Sequence, residues 1–378
     1  MRVLVDYRPA LKERTGVGEY AHQLVRALVT AFPADRAVDG EPVEVTIFSS
    51  SWRDRLAAGS ELAGVRTVDR RVPGKLLNLA WHRLGWPPVE RLAGHTFDVT
   101  HSLHPLLMPA EHAAQVVTIH DLNFLTHPER TRAEIRRDYP ALARAHAQRA
   151  DRVVVVSQFT AREVHRLLEV PPERISICSP GAPAWTPRAE RPNPGYVLFM
   201  GTLEPRKNLG GLLDAYELLA SRRRTLPKLI VAGKALRESE PLVERMSRPP
   251  LAAYVEHIGY VDAASRQRVY EGARVLVLPS FEEGFGIPVL EAMTLGVPVV
   301  AADRGALPEV VGDAGPLVNP HDAASMAAAI ERMVDDDAYA AACASKGLVQ
   351  AKRFTWDATA RGVYEAYRRA VERRCASA

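Results

Sequence analysis

The feature that most constrains this chain is a rhythm of short, unbroken apolar runs separated by stretches of helical period. The runs are rich in Val and Ile: RVLVD (2–6), VEVTIF (43–48), VVTIH (116–120), RVVVVS (152–157), RISICS (174–179), YVLFMG (196–201), KLIVAG (228–233), VEHIGYV (255–261), RVLVLPS (274–280) and PVVAAD (298–303). Strands that are apolar without alternation are buried on both faces, which is the habit of parallel sheets. Between them, GEYAHQLVRALVTAF places Ala21, Leu24, Val25, Leu28, Val29 and Phe32 on one stripe of a helix. The alternation predicts an α/β architecture with right-handed crossovers. One segment breaks it: SPGAPAWTPRAERPNPG (179–195) holds five prolines in 17 residues and can continue neither a helix nor a central strand. With 378 residues, too many for one typical core, it reads as an interdomain linker. The expected division is a domain over 1–182, a linker over 183–194, a second domain over 195–355, and a C-terminal helix over 356–378 that could pack back on the first domain.

Composition narrows the function classes. An apolar share of 47% and a charged share of 25% are those of an ordinary soluble protein. Net charge is +4, from 49 basic and 45 acidic residues, and no basic run is long enough to serve as a nucleic-acid arm. Cys178, Cys343 and Cys375 are scattered, without the spacing of a zinc site or a disulfide framework, which fits a reducing cytoplasm. The opening MRVLVDYRPA reads as a strand and not as a signal peptide, and no apolar run reaches the ~20 residues of a membrane span. Arginine is abundant throughout, so clusters of it carry little functional weight; Arg222–Arg224 reads as a solvated helix end, and Asp335–Asp337 as a surface feature and not a metal site.

Four stretches carry chemistry. In FEEGFGIPVLEAM (281–293) a strand runs into Gly284-Phe285-Gly286, then Pro288 and an apolar helix. Pro suits a first helical turn, and glycines there bring backbone N–H groups and the helix dipole to an anion. Glu283 ends the strand side and Glu291 is placed in the first helical turn; both are acceptors for vicinal hydroxyls at the ligand end of an open sheet. The alternative, that Glu291 balances the dipole and Glu283 is solvated, stays open on these residues alone. Glu282 is expected to be solvated. GTLEPRKNLGGLLDAYELL (201–219) sets Arg206 and Lys207 just before a helix capped by Asn208, an arrangement that can hold a phosphate or diphosphate, or can be a solvated basic turn. Gly16-Val17-Gly18-Glu19-Tyr20-Ala21 matches the dinucleotide fingerprint literally. Nine residues separate it from the preceding strand, and the second strand ends in FSS without a ribose-binding acid, so NAD binding is rejected. A glycine loop against a bound phosphate or sugar remains. VVTIHDLNFLTHPE (116–129) ends a strand on His120 and Asp121, where a histidine can bond a sugar hydroxyl or be a satisfied structural residue.

Together these stretches resemble glycosyltransferase family 4, retaining enzymes of the GT-B fold, in which two Rossmann-like domains face each other across a cleft. The wording EGFGIPVLEAM matches the family's E-x7-E motif through Glu283 and Glu291, and GTLEPRKN, HIGYVD, LPSFEEG, TIHDL and VVSQFT follow the family's order across nearly the whole chain. The resemblance implies an N-terminal acceptor domain and a C-terminal nucleotide-sugar domain. Glu283 would contact the transferred sugar and Glu291 the ribose diol. Arg206 and Lys207 would clamp the diphosphate with backbone N–H groups of Phe285, Gly286 and Ile287. Gly201 and Thr202 would stand beside that clamp, and Gly16 and Gly18 would close over the donor. His120, with Asp121, would sit at the reacting centre, and Gly259, Tyr260 and Val261 would line the base. It implies no metal and no cofactor beyond the nucleotide-sugar co-substrate, with GDP-mannose as the first donor to test and a glycan, lipid-linked or small-molecule hydroxyl as acceptor.

The chain departs from the family at Thr202, where many members carry arginine, and at CSPGA (178–182), where IPNGV is usual. RRVPGKLLNLAWHRLGWPPVERL (70–92) has two readings: an amphipathic surface touching a membrane that carries a lipid-linked acceptor, or, favoured here, a buried helix with an arginine-lined outer face. Two rival functions, a GT-B-fold sugar-nucleotide epimerase and a non-catalytic nucleotide-sugar binder, are disfavoured by E-x7-E standing beside EPRKN.

Overall fold

The structure, a computed structural model, describes all residues except 12–13, 15, 34–41, 57–61, 63, 129–132, 224 and 378, and the side chains of 133–138 and 377. In chain order the first elements are β1 (Arg2–Asp6), α1 (Val17–Ala31), β2 (Glu44–Ser50), β3 (Arg66–Arg70), α2 (Gly74–Leu84), α3 (Val89–Ala93), β4 (Val99–Ser102), β5 (Ala114–Ile119), α4 (Asn123–Thr126), α5 (Ala133–Arg149), β6 (Arg152–Val155), α6 (Gln158–Leu168) and β7 (Ile175–Ile177). Then come β8 (Tyr196–Met200), α7 (Leu209–Arg222), β9 (Leu229–Ala232), α8 (Glu240–Met246), β10 (Val255–Gly259), α9 (Ala263–Glu271), β11 (Ala273–Leu278), α10 (Ile287–Thr294), β12 (Val299–Ala302), α11 (Leu307–Val311), β13 (Leu317–Val318), α12 (Ala323–Asp335), α13 (Asp337–Ala351) and α14 (Trp356–Ser377).

These strands form two parallel sheets, ordered β3-β2-β1-β4-β5-β6-β7 and β10-β9-β8-β11-β12-β13. They belong to two compact units, Met1–Gly181 with Thr355–Ala378, and Ala182–Phe354. The apolar runs are strands because both faces are covered: Val3, Leu4 and Val5 of β1 and Val275, Leu276, Val277 and Leu278 of β11 are fully buried. Three strands escaped the hydropathy reading. β3 is an exposed edge and β13 has two residues. β4, VTHS, is central and wholly buried yet polar. His101 on β4 meets Tyr367 Oη of α14 at 2.7 Å and Thr118 Oγ1 of β5 at 2.7 Å, and the Ser102 hydroxyl accepts from Met108 N. Side-chain hydrogen bonds do there what apolar contact does in the neighbouring strands.

The final helix completes the first unit. Tyr364 stacks on Phe32 of α1 with centroids 4.3 Å apart, and Tyr367 is buried at the sheet. Gly181 is required where the chain passes the start of α14, since a Cβ there would lie 2.2 Å from Trp356 N. The proline-rich segment is no free tether: Arg188 donates to the carbonyls of Glu271, Ala273 and Gly296, and Arg191 bonds Asp337 and the Met333 carbonyl, so it is strapped along the second unit. Arg223 is not simply solvated, since it holds Asp335 bidentately at 2.6 and 2.8 Å; Asp336 caps α13 and Asp337 pairs with Arg191 and Arg274. The favoured reading of 70–92 is also corrected. α2 buries Leu77 and Trp81, but its outer face shows Leu76 and Leu79, 60% and 57% exposed, and continues into Leu84 and Trp86 at 75% and 59%.

Burial holds four imidazoles of the first unit low against an ordinary value of 6.5: His101 at about 3, and His82, His120 and His146 at about 4. Below 6.5 the unfolded chain therefore binds more protons, and the stability present above that pH is lost progressively as the pH falls toward 4. Native-state hydrogen exchange at pH 7 and pH 5 is expected to show β4 and β5 amides losing protection at the lower pH; equal opening free energies would refute the assignment.

Candidate active site

In each sheet the chain order reverses once, between β1 and β4 and between β8 and β11. Open parallel sheets bind ligands at the carboxyl ends of the strands flanking such a reversal. In the second unit that point is built from the turn after β8 and the loop after β11. Pro205–Lys207 forms one turn of 3-10 helix, and Asn208 takes a left-handed φ of +55° that turns the chain into α7. Its Oδ1 accepts from Gly211 N at 3.2 Å, while Nδ2 donates to the carbonyls of Pro279 and Pro320. The expected cap is therefore also a rivet between the two loops. Phe281 N donates to Arg206 O at 2.8 Å, a second rivet.

These constraints close Arg206 and Lys207 on Glu283. Lys207 Nζ contacts Glu283 Oε1, Arg206 Nη1 lies 3.2 Å from Oε2, and Ser280 Oγ donates to Oε1 at 2.7 Å. Lys207 and Glu283 are 7% and 5% exposed. Burial pushes the Glu283 carboxyl up, but Lys207 and Arg206 outweigh it and hold the group at about 2. Burial, with Arg206 nearby, pulls the Lys207 ammonium below its ordinary value against Glu283 and Glu204; Glu283 faces two cations, so the pair stays ionised. Arg206 also reaches Glu204 at 2.8 Å, so two cations face two carboxylates, of which Glu204 is the more exposed and the more weakly held. The Lys207 stem passes 3.5 Å from where a Gly201 side chain would begin, so Gly201 lies beside the cation, and the carbonyl of Thr202 accepts from Glu204 N at 2.7 Å.

The loop beyond Glu283 follows the expected form. Gly286, at φ +104°, caps α10, Pro288 fills its first turn, and Phe285 is buried edge-on to Phe354. Gly284 to Ile287 thus lead from Glu283 to the positive pole of an eight-residue helix. Two expectations change. Glu291 is the fifth residue of α10, one turn further in than placed, and is buried: Arg266 Nη1 lies 3.0 Å from Oε1 and Tyr270 Oη donates to Oε2 at 2.7 Å. Both oxygens are already held by α9, a pairing no spacing in the sequence announces. Glu282 is 8% exposed, not solvated; its turn is tied to the neighbouring loop by Phe281 N donating to Arg206 O and by Arg206 Nη1 donating to the Glu282 carbonyl. Gly259 ends β10 at φ +72° and accepts from Gly233 N at 2.7 Å, leaving Tyr260 37% exposed with Val261 beyond it. β10 is the sheet edge, two strands from β8.

Four candidates lie in the first unit. Gly16, at φ +46°, is the cap of α1. Gly18 allows α1 to start over the preceding turn, since a Cβ there would stand 2.7 Å from Pro9 O. His120 follows β5 and donates from Nε2 to Leu103 O at 3.2 Å, which fixes its proton there and leaves Nδ1 as an acceptor; Tyr20 packs edge-on at 4.8 Å. Asp121 Oδ1 accepts from Asn123 N at 3.3 Å, an Asx turn. The structure thus gathers Gly201, Arg206, Lys207 and Glu283 directly, with 284–287 attached and Thr202 next to Gly201 in the chain. Glu291 sits in a separate network with Arg266 and Tyr270. Sequence reasoning gave no role to Ser280, although it stands in LPSFEEG, and missed Arg266 and Tyr270, which have no local signature.

Residues 14–184 match the family model described as Glycosyltransferase Family 4, and residues 194–336 the one described as Glycosyl transferases group 1. The O-antigen chain mannosyltransferase B of Escherichia coli is 32% identical over 390 residues, covering 97% of this chain and all of that one. The chain belongs to glycosyltransferase family 4. It is a glycosyltransferase, and its two α/β units form the GT-B fold. A D-inositol 3-phosphate glycosyltransferase of Catenulispora acidiphila is 33% identical over 59% of this chain and 57% of its own. Among solved structures, the sucrose-phosphate synthase of Thermosynechococcus elongatus superposes with a TM-score of 0.79 at 21% identity, covering 97% of this chain and 98% of that one. Anabaena HepE in complex with UDP and glucose gives 0.71 at 19% identity, with the same coverage. At those identities the likeness is one of fold.

Gly305 guards the glycosyltransferase's central carboxylate. It sits at φ +62°, and a Cβ there would stand 2.5 Å from Glu283 O and 2.7 Å from Glu283 N. Gly305→Ala is expected to cost about 1–3 kcal/mol in urea unfolding and to weaken nucleoside diphosphate binding together with it. An unchanged midpoint with unchanged binding would show that the loop yields freely.

Proposed function

We propose that the enzyme is a retaining mannosyltransferase that uses GDP-mannose and transfers to a hydroxyl of a growing glycan. The observation that carries the donor part is the ionised Arg206–Lys207–Glu283 cluster at the β8/β11 reversal, followed by the loop that leads to the α10 N-terminus. In this reading the diphosphate takes Arg206 from the more exposed Glu204 and meets the helix pole as well. As the bond from the anomeric carbon to the bridging oxygen lengthens, negative charge grows on the leaving phosphate, and Lys207, Arg206 and the helix pole stabilise it in place. Glu283, held ionised and fixed by Ser280, accepts from hydroxyls of the transferred sugar and faces the oxocarbenium-like centre. His120 offers Nδ1 to a sugar hydroxyl. Glu291, with its oxygens oriented by Arg266 and Tyr270, is a preset acceptor for the ribose diol, and Tyr260 offers an exposed ring to the base. Retention by front-face attack, in which the leaving phosphate takes the acceptor's proton, follows the family. Lys207 and Arg206 are fixed cations that can balance the charge of a diphosphate, so activity without added metal belongs to the same proposal.

Mannose as the sugar is supported by the name of the 32% relative that spans the whole chain. The serotype-specific mannosyltransferase WbdA of Escherichia coli, 27% identical, adds to it, although this chain spans only about a third (36%) of that protein. Epimerase and binding-protein readings gain no support from relatives that are named as transferases.

Glu283→Gln is the clean test, because Glu283→Ala would leave Lys207 buried without its partner, at a cost of roughly 3–5 kcal/mol. Turnover of GDP-mannose is expected to fall about 100-fold or more while calorimetric GDP affinity stays within a few-fold. Lys207→Ala is expected to weaken GDP at least about tenfold, and EDTA to change neither. Undiminished turnover in the glutamine variant would remove Glu283 from the mechanism.

The acceptor is proposed to be presented at a membrane, with the enzyme on the cytoplasmic face. No helix among the described residues is long and apolar enough to cross a bilayer. The exposed Leu76, Leu79, Leu84 and Trp86 of the α2 region are flanked by Lys75 and Arg83, and no acidic residue occurs from Arg70 to Val89. An apolar face with a cationic border suits the surface of an anionic bilayer. The protein is expected to float with phosphatidylglycerol-containing vesicles, and Leu79→Glu with Trp86→Glu to abolish this. Wild-type protein that stays at the bottom of the gradient sinks the membrane reading.

A further inference from the structure

Arg266 and Tyr270, the two partners of Glu291, both stand on α9, Nη1 to Oε1 at 3.0 Å and Oη to Oε2 at 2.7 Å. By itself α9 is a poor platform. It has nine residues, of which Tyr270 alone is fully buried. A helix so short is not stable in isolation, and one buried side chain does not fix its rotation. Its place therefore depends on anchors at its two ends. At the start, Asp262 Oδ1 accepts from Ser265 N at 2.8 Å. In the last turn, Tyr196 Oη of β8 donates to Val269 O at 2.6 Å. The remaining anchors come from the proline-rich segment.

Arg188 joins the ends of the two helices that make this network. Its Nη1 donates to the carbonyl of Glu271, the last residue of α9, at 3.3 Å and also to Ala273 O, and its Nη2 to the carbonyl of Gly296, just past α10, at 3.2 Å. Its backbone N–H donates to Leu295 O at 3.2 Å. A guanidinium there satisfies carbonyls left open at a helix C-terminus and opposes the negative pole. One side chain thereby ties the helix that supplies Arg266 and Tyr270 to the helix that supplies Glu291. Trp185 acts on the tyrosine ring itself. Ala184, Thr186 and Pro187 around it are exposed, but Trp185 turns in, half-buried, with its ring centroid 5.9 Å from that of Tyr270 and an interplanar angle of 48°. It limits the tilt of a ring whose hydroxyl is aimed at Glu291.

We infer that Trp185 and Arg188 are positioning residues for the ribose of the nucleotide: they fix α9 and, through Tyr270 and Arg266, the two oxygens of Glu291. Each carboxylate oxygen has two acceptor sites, so each oxygen of Glu291 keeps one for a hydroxyl, and the donor already bound sets the direction it offers. A vicinal diol needs both oxygens in register. A diphosphate held at Arg206, Lys207 and the start of α10 needs nothing from α9. Loosening the proline-rich segment therefore acts on the ribose and spares the diphosphate. The inference rests on the reading of Glu291 as the ribose acceptor.

The test is calorimetric titration of the full chain with GDP, with dideoxy-GDP, whose ribose lacks both hydroxyls, and with inorganic pyrophosphate, on wild type, Trp185→Ala, Trp185→Phe and Arg188→Lys. Lysine keeps the charge of Arg188 and loses the fork that spans the two helix ends. Wild type is expected to bind GDP at least about tenfold tighter than dideoxy-GDP, as hydrogen bonds to a carboxylate require. Trp185→Ala and Arg188→Lys are expected to cut that preference at least about threefold while pyrophosphate affinity stays within about twofold. Trp185→Phe, which keeps an aromatic ring on Tyr270, is expected to retain the preference. Arg188→Lys carries the comparison where Trp185→Ala does not fold. An unchanged preference in the alanine and lysine variants, or a loss shared equally by GDP, dideoxy-GDP and pyrophosphate, overturns the inference and leaves the ribose reading of Glu291 standing. Equal binding of GDP and dideoxy-GDP by wild type overturns that reading itself, and the inference with it.

Discussion

Glu283 stands between two cations that come from a loop 76 residues earlier, and most of the second unit's ligand end is arranged around that contact. A carboxylate that is 5% exposed needs compensation for its lost hydration, and Lys207, Arg206 and Ser280 supply it together. The same contact sets the backbone. With Asn208 bridging to Pro279 and Pro320, and Ala306 N donating to Glu283 O, the turns after β8, β11 and β12 become one assembly. Gly305 is small because Glu283 passes over it.

The cations of that assembly are unequally held. Lys207 is buried against Glu283, whereas Arg206 is shared between Glu283 and Glu204, whose side chain is 36% exposed and screened by water. The loop after Glu283 leads to the positive pole of α10, which favours an anion there. Acidification acts elsewhere first. Glu283 titrates at about 2, whereas the neutral imidazoles of the first unit are opposed by protonation from pH 6.5 downward.

The first unit repeats the topological device. At its reversal the charges are paired off within the protein, Arg8 against Asp6, with His104 and Asn78 completing the hydrogen bonds. Both reversal points thus hold a buried carboxylate against an arginine, and the second adds Lys207 to it.

Much of this was legible in the chain. Ten apolar runs became strands, since burial on both faces of a parallel sheet requires local apolar continuity. The glycines, Pro288 and Asn208 announced the turns they make, because φ preference and capping are properties of a few neighbouring residues. Hidden from that reading were β4, whose polar residues are buried by hydrogen bonds to α14 and β5; the partners of Glu291 on α9; the inward turn of Glu282; and the Asp6–His104 contact across 98 residues. The sequence by itself determined the strand and helix segments and which side chains stand at the strand ends. Only the tertiary structure decided which of those ends meet, because strand order, not chain distance, brings β1 beside β4 and β8 beside β11, and ion pairs form only between groups so placed.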